Sequence, residues 1–251
     1  MTVVLITAVS VGGATVLGAL IGFWFKNIPH KFNDSILGFA SGIMLAAAVI
    51  GLILPSIEYG GKYGVIIAAS GIIAGAVFIN ITDHFTPHLH KLTGVDIEKH
   101  KENQRLNKVI LFVMAIAIHN LPEGIATGVS FGTGNIGDAI SVATAIALQN
   151  IPEGIVIIAP LLTVGVSKGK TFGIAAFTGL IEFVGTMFGY FAVTIATTVL
   201  PFALAFAGGT MLYVISDEMI PETHSHGYER EATYSLIFGF VAMIVMDYYI
   251  G

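Results

Sequence analysis

Apolar residues in this chain come in runs of about 20, separated by short polar breaks, and the runs recur from one end of the sequence to the other. In a helix, at 1.5 Å per residue, a run of that length crosses a hydrocarbon core of about 30 Å. The pattern predicts eight spanning helices, over residues 2–25, 33–55, 63–81, 108–128, 138–161, 171–195, 201–221 and 232–250. The fold expected is therefore an all-α polytopic membrane protein, a single transmembrane domain over residues 1–251 with one hydrophilic loop at 82–107. The first run starts Met1-Thr2-Val3-Val4 without a basic region and is too long for a signal peptide, so it reads as a helix of the mature chain. Glycines lie inside the runs, where small residues let helix backbones approach each other in lipid.

Composition agrees: 55% of the 251 residues are hydrophobic and 11% charged, too little charge to cover a soluble fold. Eleven Lys and Arg against sixteen Asp and Glu leave no basic field for a phosphate backbone, which excludes nucleic acid as a partner and leaves the lipid bilayer. Without cysteine there are no disulfides, thiolate metal sites or cysteine nucleophile. The cations also set an orientation. With the N-terminus outside, Lys26, Lys31, Lys91, Lys99, Lys101, Arg105, Lys108, Lys168, Lys170 and Arg230 fall on the cytoplasmic side and only Lys62 on the other. The expected placement is multi-pass in the cell (inner or plasma) membrane with both termini outside.

The loop from Thr82 to Asn107 holds Asp83, His84, His88, His90, Asp96, Glu98, His100 and Glu102. Imidazoles and carboxylates ligate divalent ions, so it reads either as a cytosolic metal-collecting segment or as a solvated linker.

Two repeats organise the remainder. Ile116-Ala-Ile-His-Asn-Leu-Pro-Glu-Gly124 in the fourth helix returns as Ile146-Ala-Leu-Gln-Asn-Ile-Pro-Glu-Gly154 in the fifth. Phe39-Ala-Ser-Gly-Ile-Met-Leu45 in the second returns as Phe206-Ala-Gly-Gly-Thr-Met-Leu212 in the seventh, with Pro55 and Pro221 similarly placed downstream. The second and seventh helices run in opposite directions. This is the trace of an inverted repeat, helices 1–3 against 6–8 around 4–5, as found in secondary transporters with a site near the bilayer midplane.

The chemistry is concentrated there. A carboxylate in the bilayer core costs about 2.5–3.5 kcal/mol even on insertion scales, so Glu123, Glu153 and Glu182 require compensation. No Lys or Arg lies inside the spans, which leaves protons or metal ions. His119 and Glu123 share one helix face, as do Gln149 and Glu153. His119, Gln149 and Glu182 each lie 11 residues beyond the predicted start of their helix, roughly 16 Å deep. Pro122 and Pro152 cannot donate to the carbonyls of Ile118 and Leu148, which frees acceptors at this level. Asn80, Thr178 and the scattered methionines read as packing and interhelical hydrogen bonds.

The motifs HNLPEG and QNIPEG on adjacent helices, the TGLIEFVG stretch that follows, the eight-helix topology and the His-bearing third loop together resemble the ZIP metal transporters, in particular their bacterial GufA-like and ZupT-like branches. The resemblance covers the whole chain. It implies a two-part metal site: His119, Glu123, Gln149 and Glu153 in the primary half, and Asn120, Asn150 and Glu182, with the same two motif glutamates as bridges, in the second. It further implies exit-path ligands at Asp217 and Glu218, with His84, His88 and His90 in the loop. The chain departs from the family where many relatives have His at Gln149 or at Asp217, and where some have Asp at Asn150.

One imidazole, carboxylates and amide oxygens suit Zn²⁺, Fe²⁺, Mn²⁺ or Cd²⁺ and disfavour Cu⁺. The function expected is transport of divalent transition-metal cations, zinc first, with uptake toward the cytoplasm implied by the resemblance. The metal is cargo rather than an enzyme cofactor, and no enzyme is expected. Two rivals stay open: a proton-coupled cation exchanger, and an intramembrane metal-dependent hydrolase, against which stands the lack of HExxH and GxSxG motifs. Self-association into a homodimer is left open.

Overall fold

The computed structural model describes residues 1–24, 29–92 and 117–250, with the backbone alone over 83–92. Every regular element among them is helical. In chain order these are α1 (Thr2–Gly22), α2 (His30–Tyr59), α3 (Gly64–Leu92), α4 (described over 117–130), α5 (Ile136–Thr163), α6 (Lys168–Ile195), α7 (Thr197–Thr223) and α8 (Glu229–Ile250). Seven of them are long and apolar enough to cross a membrane, and α4 is the eighth predicted span, described in part. The polytopic all-helical fold expected from the hydropathy is thus the fold found.

Most helices start or stop within a few residues of expectation. The third departs furthest: α3 continues beyond the apolar stretch to Leu92, through the first eleven residues of what the sequence marks as a hydrophilic loop. Hydropathy reports where lipid ends, and nothing obliges a helix to end there. The rest of the expected loop, 93–107, lies outside the described residues.

Two helices are interrupted, and at matching places. α2 is π-helical over Ala47–Ile53, just ahead of Pro55, and α7 over Ile215–Met219, just ahead of Pro221. A proline lacks the N–H for its own rung and its ring crowds the carbonyl four residues back; a widened turn absorbs the conflict without breaking the helix.

Glycine contacts make the inverted repeat explicit. A Cβ on Gly12 would overlap the carbonyl of Gly179, and one on Gly179 that of Gly12, so α1 and α6 meet at equivalent points. Gly18 and Gly22 of α1 lie against Ile151 and Ile155 of α5, whereas Gly185 and Gly189 of α6 lie against Leu121 and Ile125 of α4. Gly42 of α2 approaches Leu236 in α8, and Gly209 of α7 approaches Ile72 in α3. One pseudo-two-fold operation therefore exchanges α1 with α6, α2 with α7, α3 with α8 and α4 with α5. It is built from small residues because close backbone approach is what holds helices together where lipid competes for apolar contact.

The turns sort onto two faces. On one, the Tyr59 hydroxyl donates to the carbonyl of Thr133 at 3.0 Å and Ser56 Oγ to that of Pro201 at 2.6 Å, which ties the α2–α3, α4–α5 and α6–α7 connections together. On the other, Lys31 pairs with Glu231 at 2.9 Å and His226 Nδ1 lies 3.0 Å from Asp34 Oδ1, which joins the start of α2 to the α7–α8 turn. Between the faces, Ile43, Met44, Leu52, Ile146, Leu204, Met211 and Val214 form the buried core of α2, α5 and α7. Large apolar side chains such as Ile6, Phe177, Phe188 and Phe238 point outward, as lipid contact requires.

Candidate metal centre

α4 and α5 each carry a proline within continuous helix, Pro122 and Pro152, one residue before the motif glutamate. Gly124 and Gly154, one residue after it, allow α6 and α1 respectively to press against the same turn: their Cβ positions fall on the carbonyls of Glu182 and Thr15. Each Asn-x-Pro-Glu-Gly motif is therefore a device that opens a carbonyl, supplies a carboxylate and admits a neighbouring helix at one level.

At that level the predicted residues come together. Gln149 Nε2 donates to Glu123 Oε1 at 2.6 Å, bridging α5 to α4. Asn150 Nδ2 donates to Glu182 Oε1 at 2.7 Å and reaches the Val11 carbonyl at 3.4 Å, bridging α5 to α6 and α1. Asn120, Glu123, Gln149, Asn150 and Glu182 are all shut off from solvent, while His119 and Glu153 keep 8% and 7% of their surface. Those two line a cavity of about 480 Å³ together with Asn33, Leu37, Asp217, Glu218, Glu222 and Ser225. The cavity runs from the α7–α8 turn and the start of α2 inward to the centre, on the face that carries Lys31 and Arg230.

Several buried oxygens have no partner: Glu123 Oε2, Glu153 Oε2, Gln149 Oε1, and Oδ1 of both Asn120 and Asn150. A buried acceptor left bare costs about 1–3 kcal/mol, and none of the buried residues among those described is Lys or Arg. Oxygen acceptors without donors are what a cation site offers. Among the described residues no three His, Asp or Glu side chains form a ready ligand set, and the bare amide oxygens of Gln149, Asn120 and Asn150 are further acceptors available to a cation.

The exit-path residues separate. Glu218 Oε1 lies 2.7 Å from His119 Nε2, so it belongs to the centre itself, presented from the π-helical turn of α7. Asp217 lines the cavity beside it. The side chains of His84, His88 and His90 lie outside the described residues. Asn80 and Thr178 are interhelical and packing residues as expected, donating to the Tyr213 hydroxyl at 2.8 Å and to the Ala175 carbonyl at 2.9 Å.

Two participants escaped the sequence reading. Thr15 of α1 donates to Glu182, its Oγ1 lying 3.2 and 3.3 Å from the two carboxylate oxygens. Its signal was the repeat, since Thr15 occupies in α1 the place of Glu182 in α6, but the two stretches share no motif. Asp34, next to the cavity-lining Asn33, is fully buried with one oxygen on His226, whose ring stacks on that of His30 at 4.3 Å between centroids. Nothing in the spacing of Asp34 and His226 links residues so far apart in sequence.

The profile of the family described as ZIP Zinc transporter matches residues 94–247. The chain is 38% identical over 253 residues to Zinc transporter GufA of Myxococcus xanthus, covering 98% of both chains. It is 38% identical over 254 residues to Zinc transporter ZIPB of Bordetella bronchiseptica, covering 95% of this chain and 78% of that one. A human relative, Zinc transporter ZIP11, is 30% identical over 323 residues, with 95% and 94% covered. With its eight-helix inverted repeat and paired Asn-x-Pro-Glu-Gly helices, the chain belongs to the ZIP zinc transporter family.

Proposed function

We propose that this protein moves divalent transition-metal cations, zinc first, into the cytoplasm through the centre between α4 and α5. Zinc transport is the activity its relatives are named for. The observation that carries the site is the set of unpartnered buried oxygens on Glu123, Glu153, Gln149, Asn120 and Asn150, with no Lys or Arg among the described buried residues to meet them. In the primary half, His119, Glu123, Gln149 and Glu153 hold the ion. Asn120, Asn150 and Glu182 form the second half. A site of neutral amides and few charges binds without trapping, as transport requires. The ion leaves His119 toward Glu218 and Asp217, which line the route to the cavity mouth. The cavity opens on the cation-rich face, the cytoplasmic one by the positive-inside rule, and this supports an inward-open form of an importer.

Uptake of radioactive Zn²⁺ into proteoliposomes, with and without a pH gradient, tests this. Accumulation in wild type and its loss in Glu123→Ala are expected. A requirement for an opposed proton gradient would favour exchange. No metal movement from well-folded protein would overturn the reading.

A further inference from the structure

The pseudo-two-fold axis sets a test for every polar residue near it: its counterpart ought to make the counterpart contact. Asn150 and Asn120 are counterparts through the motif repeat, and Glu182 and Thr15 through α1 and α6, since Gly124 meets the Glu182 carbonyl as Gly154 meets that of Thr15. Asn150 donates to Glu182. The mirrored bond, Asn120 to Thr15, is not made: both amide atoms of Asn120 are bare, and the Thr15 hydroxyl is turned across the axis onto Glu182. Thr15 and Glu182, counterparts on helices that meet at the axis, are bonded to each other instead.

The consequence falls on Glu182. Both of its oxygens are engaged: Oε1 accepts from Asn150, and the single Thr15 hydroxyl proton is shared between Oε1 and Oε2 at 3.2 and 3.3 Å. Neither oxygen is among the unpartnered buried atoms, whereas Glu123 and Glu153 each keep one bare. A donor hydrogen aimed at a carboxylate oxygen takes up a lone pair a cation would use and presents positive charge to the approaching ion. Thr15 is fully buried, so no water replaces its hydroxyl when it turns away.

On the functional reading above, we propose that Thr15 is a positioning residue that holds Glu182 as a cross-link between α1, α5 and α6 and so weakens the second half of the metal site. Its hydroxyl competes with the second ion for Glu182, which keeps the protein working with a single tightly held ion. The sequence around Thr15 carries no ligand motif; the role follows from the broken symmetry and the bonding of Glu182.

The test uses the purified full chain, titrated calorimetrically with Zn²⁺ and assayed for uptake in proteoliposomes. Thr15→Val removes the hydroxyl at nearly constant shape. One hydrogen bond to a charged group is worth about a factor of ten or more, so second-ion affinity is expected to tighten about tenfold, with the first ion unchanged and both KM and kcat lowered. Thr15→Ser restores wild-type behaviour. In a Glu182→Gln background the Val effect disappears, which ties it to that carboxylate. Unchanged or weakened second-ion binding in folded Thr15→Val overturns the inference, weakening by making the hydroxyl a ligand. If Thr15→Val and Thr15→Ala both misfold while Thr15→Ser folds, the hydroxyl is purely structural and the inference fails as well. Wild-type protein that binds no Zn²⁺ overturns the functional reading instead.

Discussion

Glu123 and Glu182 put the same side chain at the same depth, yet their oxygens are employed differently. Glu123 accepts one bond from Gln149 and keeps Oε2 free, while Glu182 is bonded at both oxygens. On the proposed site, Glu123→Ala and Glu153→Ala therefore remove charged ligands from a place where water cannot substitute, a loss on the order of 3 kcal/mol or about a hundredfold in binding. Uptake and calorimetry on either variant should fall to background. Glu182→Ala removes a cross-link and an already engaged oxygen pair, so transport should persist with altered affinity or rate. Equal losses in both would show the halves to be equivalent. Acid works in the same direction as the primary substitutions, because ligation requires a bare imidazole and bare carboxylates and protons compete for them. Uptake rate measured against external pH should fall as pH is lowered. Asp34 answers to a different rule. Its Oδ1 meets His226 and its Oδ2 is bare, so among the described residues His226→Ala leaves the carboxylate without a partner, at a cost of about 2 kcal/mol that thermal unfolding in detergent would register. Asp34→Asn combined with His226→Ala should recover part of it, since a neutral amide is cheaper to bury than a lone carboxylate.

At the scale of helices, the spans were legible because a bilayer imposes length and apolarity together, and the centre was legible because one motif is written twice. What stayed hidden has a physical reason in each case. α3 outruns its apolar stretch because polar residues form helix as readily as apolar ones once outside lipid. Glu218 reaches His119 only because the π-helical turn before Pro221 resets the face that α7 shows to the cavity. Thr15 looks like any small residue until α1 is laid against α6. Sequence periodicity records which face of a helix is apolar, not which neighbour it meets. Glycines supply that missing information, and they make a sharp prediction. A methyl at Gly154 falls on the Thr15 carbonyl and one at Gly124 on the Glu182 carbonyl, both beside motif glutamates. Gly154→Ala and Gly124→Ala should each lose about 1–3 kcal/mol by overpacking and should lose transport as the helix pairs separate. Gly13 and Gly173 have open space at the same atom, so Gly13→Ala and Gly173→Ala should be neutral or slightly stabilising. Melting temperatures of the four variants check the contrast, and similar values throughout would remove the glycine contacts as the basis of the repeat.

The whole molecule is symmetric in its packing and asymmetric in its polarity. α2 and α7 are exchanged by the axis and both carry a π-helical turn, but α7 there presents Asp217 and Glu218 to a cavity, while α2 presents Ala47, Ala48, Gly51 and Leu52 to a buried core. Among the described residues, the cavity leads inward from the face of the α7–α8 turn, and apolar packing of α2 fills the side toward Tyr59 and Thr133. Gly51 of α2 is pressed on Val142 of α5 on that side. On the positive-inside rule the open face is expected to be cytoplasmic, with Lys31, Lys168, Lys170 and Arg230 there and Lys62 opposite. Since the chain contains no cysteine, single cysteines report sidedness without background. Tyr63→Cys, exposed beside Lys62, should react with a charged impermeant thiol reagent in intact cells. Gly169→Cys, in the first turn of α6 with nothing within 4 Å of its Cβ position, should react only when the membrane is opened or inverted. Asp217→Cys separates orientation from conformation. It should follow Gly169→Cys, reacting from the cytoplasmic side alone, and on the proposed site bound Zn²⁺ should slow it, because His119 and Glu153 line the same cavity as Asp217. Labelling of Gly169→Cys in intact cells would reverse the topology. If Asp217→Cys instead reacts from the Tyr63 side while Gly169→Cys stays protected, the topology stands and the resting protein is open outward.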